Sequence, residues 1–282
     1  MNVLINDNLI SDTFKNFIYS HEHELNKVLK AIGDDFYPSA ENVLRFARVN
    51  IKKIKVIILG MDPYPSSYIL EAGSQAHPYR RVPSNGKMSE PFLRDGGLSA
   101  SSSRRGELAS PLERPVATGR SFEVANVDSW FQKFKQASLT NILKSLYYLK
   151  YNKEENIEKI RNEIKEDKFK ILPPHEWFDK MEEEGVLFFN ATLTVKKNKP
   201  NSHTAIWKNF MDDLIKYICD FDKEKNITWL LWGKNAYDRV CDALKDENEK
   251  PKIIFKVHPA SRVKNDFVVN NGFSEIKNIK WV

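Results

Sequence analysis

Cysteine is scarce: Cys219 and Cys241 stand far apart and in no paired spacing, which excludes zinc ribbons, iron–sulfur clusters and a disulfide scaffold. Each reads as a core residue. Long apolar runs are lacking too, none approaching the roughly eighteen residues of a membrane helix. The start, MNVLINDNLISDTFKNF, has no basic leader followed by an apolar core, so neither a membrane span nor a signal peptide is indicated. The expectation is an intracellular, cytoplasmic protein, nucleoid-associated if bacterial, with no membrane partner. What is present is enough apolar material for one sizeable domain, 41% of 282 residues. The balance of 44 basic against 38 acidic side chains gives a net charge of +6 and a pI near 9.0, which favours a polyanionic partner without saying anything about fold.

Four apolar runs, at 55–60, 186–191, 227–233 and 252–258, read as strands buried on both faces, because none alternates with polar residues. Helical periodicity fills the gaps, at about 12–32, 41–49, 126–150, 153–167, 174–184, 203–220 and 234–246. In the best of these, Trp207, Phe210, Met211, Leu214, Ile215 and Ile218 share one stripe, so Trp207 reads as core and not as a base-stacking ring. Strands alternating with helices predict an α/β chain, a three-layer αβα architecture around a central four-stranded parallel sheet, as a single domain over 1–282.

Residues 72–115 do not fit that pattern. Gly, Pro and Ser make up 18 of these 44 residues, a composition that predicts a disordered, solvated insertion. The segment holds six of the chain's twelve Arg, one of its 32 Lys and no Ile, whereas its flanks are rich in Lys and Ile. The break suggests a different coding history, inserted or engineered, which a step in base composition at the two gene boundaries would mark and a smooth profile would refute.

In an open parallel sheet, ligands bind beyond the carboxyl ends of the strands. All four strands end in usable chemistry: Asp62 with Tyr64, Asn190, Gly233 with Lys234, and His258. Each has a plainer reading alone, Asp62 as a turn former before Pro63, Asn190 as a strand-end cap, His258 as a structural histidine. Together on one rim, an acid, an amide, a ring and an imidazole suit a planar, hydrogen-bonding ligand.

The segments GMDPYP, GRSFEV, LFFNATLTV, NSH, LLWGKNAY and HPAS, in this order and spacing, resemble the family 1 uracil-DNA glycosylases, and the DPYP and HPAS variants resemble the poxviral branch. The likeness covers nearly the whole chain outside 72–115. It implies hydrolysis of the N-glycosidic bond of a flipped-out deoxyuridine in DNA, initiating base excision repair without metal or cofactor. Asp62 would hold the attacking water and stabilise a cation-like sugar, and neutral His258 would donate to uracil O2, an interaction worth roughly 3 kcal/mol. Asn190 would read the N3–H and O4 edge, Phe122 would stack, Tyr64 would exclude a thymine methyl, and Met61 would contribute its backbone amide. Ser138, Ser202, His203 and Lys234 correspond to the phosphate-gripping loops.

Arg262 stands where the family commonly inserts a leucine wedge, which implies weak base flipping from duplex and a preference for single strands. Met61 and Pro65 replace the usual Gln and His, and the proline-rich loop before SLTNI is missing. Between Tyr64 and Phe122 lie 57 residues in place of a short loop, a closure costing only about 1–2 kcal/mol more. A monomer is expected, with a proteinaceous inhibitor or a replication partner as further candidates. The rival readings are a non-catalytic DNA-binding or replication-accessory protein that keeps the fold, and a glycosylase for another damaged base.

Overall fold

A computed structural model describes residues 4–70, 112–224, 226–261 and 266–282. The chain divides into a large unit, Met1–Ser67 with Pro115–Val282, and a small one, Tyr68–Arg114. The large unit is built on four strands, β1 (Val56–Gly60), β4 (Val186–Asn190), β5 (Thr228–Trp232) and β6 (Lys252–Lys256). They are parallel, in the order β4-β1-β5-β6. The chain runs from β1 to one neighbour and then crosses to the other, so the loops after β1 and β5 diverge and leave a crevice at their carboxyl ends. Two further strands, β2 (Ser67–Leu70) and β3 (Leu112–Pro115), pair with each other. Ordered strand therefore occupies the last four positions of the compositionally distinct stretch, while its remainder through residue 111 lies outside the described residues.

Side chains of β1, β4 and β5 alternate between two apolar layers, so continuous apolar runs satisfy a period of two. Ile57, Leu59, Leu187, Phe189, Trp229 and Leu231 face one core, packed by α7 (Thr204–Phe221) and α8 (Lys234–Ala243) with α1 (Asp12–Ser20) and α2 (Glu22–Ile32). On the other side Phe188 meets Trp177 and Phe178 of α6 (Pro174–Glu184), and Trp232 meets Phe267 and Phe273. Trp207 is fully buried, as its stripe predicts. Strand β6 departs from expectation: it is an edge strand with Phe255 and Lys252 exposed, not a strand covered on both faces. The two cysteines are half-buried, Cys219 against the core with its thiol pKa pushed up to about 12 by burial and nearby acids. None of the described helices is long and apolar enough to cross a membrane.

Two predicted helices break for local reasons. The 12–32 stretch parts at His21, whose ring stacks on Phe17 at 4.2 Å while Nδ1 bonds the Phe17 carbonyl, ending α1. The 126–150 helix begins only at Ala137, as α4 (Ala137–Tyr151). Its first eleven predicted residues are held open by Trp130, whose indole N–H donates to Leu172 O at 2.6 Å and whose carbonyl accepts from Arg161. Tertiary hydrogen bonds and burial of that indole outweigh helix propensity here. Shorter elements complete the unit: α3 (Ala40–Val43) followed by a 3₁₀ turn at Arg45–Arg48 where one helix was expected, α5 (Ile157–Lys165) and α9 (Asp266–Val269).

Candidate active site

Register places the candidate residues on one edge. Gly60 pairs with Asn190 at the ends of β1 and β4, and Gly233, just past β5, donates its N–H to Lys256 O at 2.7 Å, two residues before His258. Asn190 as a residue is 3% exposed, and its side-chain amide makes no hydrogen bond to the described residues, so both its donor and its acceptor are available to a ligand. A Cβ on Gly60 would come within 2.3 Å of Asn190 Oδ1 and 2.7 Å of Ser121 Cβ. The glycine that ends β1 therefore makes the space in which the amide lies.

Asp62 follows two residues on. Its Oδ2 accepts from the Asn201 N–H, while Oδ1 is buried without a hydrogen-bond partner among the described residues. Asn201 reaches it from a left-handed conformation, φ 61°, that asparagine tolerates. Burial raises the Asp62 pKa, against the Asn201 N–H, the Thr192 hydroxyl and the His203 ring, which favour its charged form. The carboxylate is thus anchored by one oxygen, while the other is unbonded among the described residues and shielded from solvent.

His258 takes a hydrogen bond on Nδ1 from the Ala260 N–H at 3.0 Å, so the neutral ring carries its proton on Nε2. The HPAS turn folds back on this ring, with Ser261 N–H on His258 O, and Asn141 of α4 fixes it by donating to Pro259 O at 2.6 Å. The ring packs against Gly233, where an added Cβ would stand 2.9 Å from His258 Cβ, and faces Phe122 at 6.1 Å between centroids. Desolvation holds its pKa below the usual histidine value, which keeps it neutral. Phe122 completes the wall, edge-on to Trp232 at 5.2 Å.

Sequence reasoning missed what holds Phe122. Its backbone is left-handed, φ 66°, and every residue of Thr118–Glu123 other than Gly119 is buried at the side chain. Glu123 accepts from the Thr118 hydroxyl at 2.6 Å, from Arg120 at 3.3 Å and from His175 Nδ1 at 3.2 Å, and Arg120 also pairs with Asp179 and Glu182. The one legible sign was an Arg and a Glu three residues apart beside a glycine. Burial opposes the Glu123 charge, but Arg120, His175 and Arg45 outweigh it and hold the carboxyl at about 2. Burial likewise opposes the His175 charge, and Glu123, Asp128 and Asp179 raise it above its ordinary 6.5. The Glu123 contribution to stability is therefore present above pH 4.5 and lost as pH falls towards 2, while the His175 contribution is full below 6.5 and lost as pH rises through its folded value. Thermal unfolding is expected to show this network at its strongest between those limits; His175→Gln should flatten the alkaline decline, and an unchanged profile in that variant would refute the assignment.

The remaining residues divide. Tyr64 is half-buried, with its hydroxyl pKa raised by desolvation, and the Met61 N–H donates to none of the described residues while its carbonyl accepts from Thr192. Ser138 is buried in the first turn of α4, one turn from Asn141, and exposed Ser202 accepts from the Lys196 N–H. Lys234 opens α8, exposed and paired with Asp238. His203 needs correction: it is 5% exposed, with Nδ1 on the Thr194 hydroxyl, which in turn accepts from the Trp207 indole. It is thus an interior residue behind Asp62 and not a surface phosphate ligand. Arg262 lies outside the described residues. A cleft of about 310 Å³ beside the C-terminal segment, lined among others by Leu149, Phe273 and Trp281, contains none of these groups.

No protein-family model matches the chain. Among curated proteins, a uracil-DNA glycosylase of Alkaliphilus metalliredigens is 32% identical over 133 residues, 43% of this chain and 57% of that protein. One from Brevibacillus brevis is 34% identical over 115 residues, 40% of this chain and 46% of that protein. The matched region thus spans about half the length of these relatives. Among solved structures, uracil-DNA glycosylase from Nitratifractor salsuginis superposes with a TM-score of 0.61 at 15% identity, covering 95% of this chain and 90% of that one. The mimivirus uracil-DNA glycosylase gives 0.54 at 21%, covering 92% and 72%. The fold is that of the uracil-DNA glycosylases, and the Alkaliphilus and Brevibacillus relatives both carry that name.

Proposed function

We propose that this chain is a uracil-DNA glycosylase, a hydrolase that removes uracil from DNA. The observation that carries the reading is the amide of buried Asn190, unbonded among the described residues, on the same strand edge as Asp62 and a His258 whose proton sits on Nε2. A pyrimidine there would give its N3–H to Asn190 Oδ1 and accept at O4 from the amide nitrogen. The C1′–N1 bond breaks with its electron pair leaving on the base, and His258 Nε2–H donates to the developing charge at O2. Ionised Asp62 stabilises the positive sugar and holds the water whose oxygen bonds to C1′, while the water's proton passes to the carboxylate. The Met61 N–H, Phe122 stacking and Tyr64 steric exclusion complete the reading of the base.

Ser138, Ser202, Lys234 and Arg262 we assign to phosphate contact along a single strand, with His203 acting from behind Asp62. The variant DPYP and HPAS motifs support a place near the poxviral branch, and a cytoplasmic monomer is the matching expectation. A mimivirus uracil-DNA glycosylase variant has been solved in complex with UGI, which makes a proteinaceous inhibitor a partner worth assaying for this chain. The test is a single-stranded oligonucleotide carrying one uracil, followed by alkaline scission at abasic sites. Scission supports the proposal; full DNA binding without scission would reject it in favour of a non-catalytic DNA-binding protein.

The pH profile is a second check. The His258 pKa lies below the usual 6.5, so the acid limb of kcat/KM, where His258 gains a proton and Asp62 loses its charge, is expected to have its midpoint below that value. A midpoint above 6.5 would contradict a depressed His258 pKa.

A further inference from the structure

We propose that Glu123, buried between Arg120 and His175, is a positioning residue that locks Phe122 in place as a wall of the base pocket. The inference rests on the glycosylase reading of that pocket and assigns a role to a carboxylate which never touches the base.

An aromatic residue at φ 66° is strained and persists only where its surroundings over-determine it. The loop is closed at its base by the Ala117 to Val124 bridge and by Ala125 N–H on Val116 O at 2.9 Å. On one side of Phe122, Ser121 ties its hydroxyl to Ile58 O of β1 at 3.1 Å. On the other side stands Glu123, whose two oxygens gather three donors from Thr118, Arg120 and His175. Gly119, at φ 88°, packs against the backbone of Asn42, with an added Cβ only 2.2 Å from Asn42 O, so no side chain fits at this point of the loop.

Arg45 and Arg120 face Asp179, with Glu182 also on Arg120, and His175 faces Glu123 at 3.2 Å but Asp128 only at 3.9 Å. Removing the Glu123 charge leaves Arg120 paired with Asp179 and Glu182, so this buried cation keeps two acidic partners. Phe122 loses the anchor on its C-terminal side, and the ring is released towards an ordinary backbone conformation. Unpaired buried charge is costly, and the same cost makes this network rigid when complete.

A double-mutant cycle separates positioning from plain stability. Full-length wild type, Glu123→Gln, Phe122→Ala and the double variant are compared for kcat/KM on a single-stranded oligonucleotide with one uracil, and amide exchange is followed over residues 116–125. Glu123→Gln is expected to lose about 30-fold in the native background and less than about threefold once Phe122 is gone, because a small misplacement near the chemistry is costly only when the misplaced group is there. Exchange over 116–125 is expected to quicken while the sheet stays protected. Equal losses in both backgrounds would overturn the proposal. If Glu123→Gln fails to fold, His175→Gln at the half-exposed end of the network replaces it, with the same pattern expected at smaller size. If wild type releases no uracil, the glycosylase reading fails by itself, and unchanged exchange over 116–125 would then reject the positioning role independently.

Discussion

Asp62→Asn is expected to lower kcat for uracil release by roughly 10³-fold, the loss of both an ionised water-holding group and a charge opposite the developing cation. The fold should be unharmed. The Asn201 N–H still finds an oxygen on the amide, and the substitution removes a carboxylate whose pKa burial already raises. Heat stability should therefore stay level or rise, the usual trade at a site that holds charge for function. Affinity for uracil-free single strands should hold or strengthen, since one negative charge near phosphates disappears. The combination is diagnostic, because a structural Asp62 would cost stability and leave the rate alone. Release by the Asn variant within tenfold of wild type would sink the catalytic assignment.

Gly60→Ala is expected to be nearly as damaging from a residue with no side chain. Its new methyl would meet Asn190 Oδ1 at 2.3 Å and Ser121 Cβ at 2.7 Å. Neither neighbour yields easily, since Asn190 is in register with Gly60 in the parallel ladder and Ser121 is tied to Ile58 O. Either the amide turns away from the base or the Ser121–Phe122 corner is pushed back, and both outcomes disturb recognition. We expect a loss of about 100-fold in kcat/KM for uracil-DNA, with overpacking costing roughly 1–3 kcal/mol of stability. Binding of uracil-free strands should be unaffected. Kinetics within threefold of wild type would show that the amide does not need the space above Gly60.

Some of this was readable in the chain. Four continuous apolar runs marked the strands, in β1, β4 and β5 because residues covered on both faces cannot alternate, and the Trp207 to Ile218 stripe gave α7 because a helix packs a sheet along one line. Asp62, Asn190 and His258 were legible by position, each just beyond or at the end of a strand. What periodicity missed were features decided by distant partners: the open chain before α4, held by Trp130 against Leu172; the interior place of His203, set by Thr194; and the exposure of β6, set by its place at the edge.

By itself, the order of residues determined the four strands of the parallel sheet, the stripe of α7 and which chemical groups stand at strand ends, because periodicity and turn chemistry act over a few neighbours. Only the tertiary structure decided that the amide of buried Asn190 lies beside Gly60 with no partner among the described residues, that Ala260 puts the His258 proton on Nε2, and that a carboxylate on one loop and a histidine of α6 hold Phe122 in a strained turn. Protonation, orientation and strain are set by contacts between residues far apart in the chain, and such contacts exist only once the sheet and its loops have assembled.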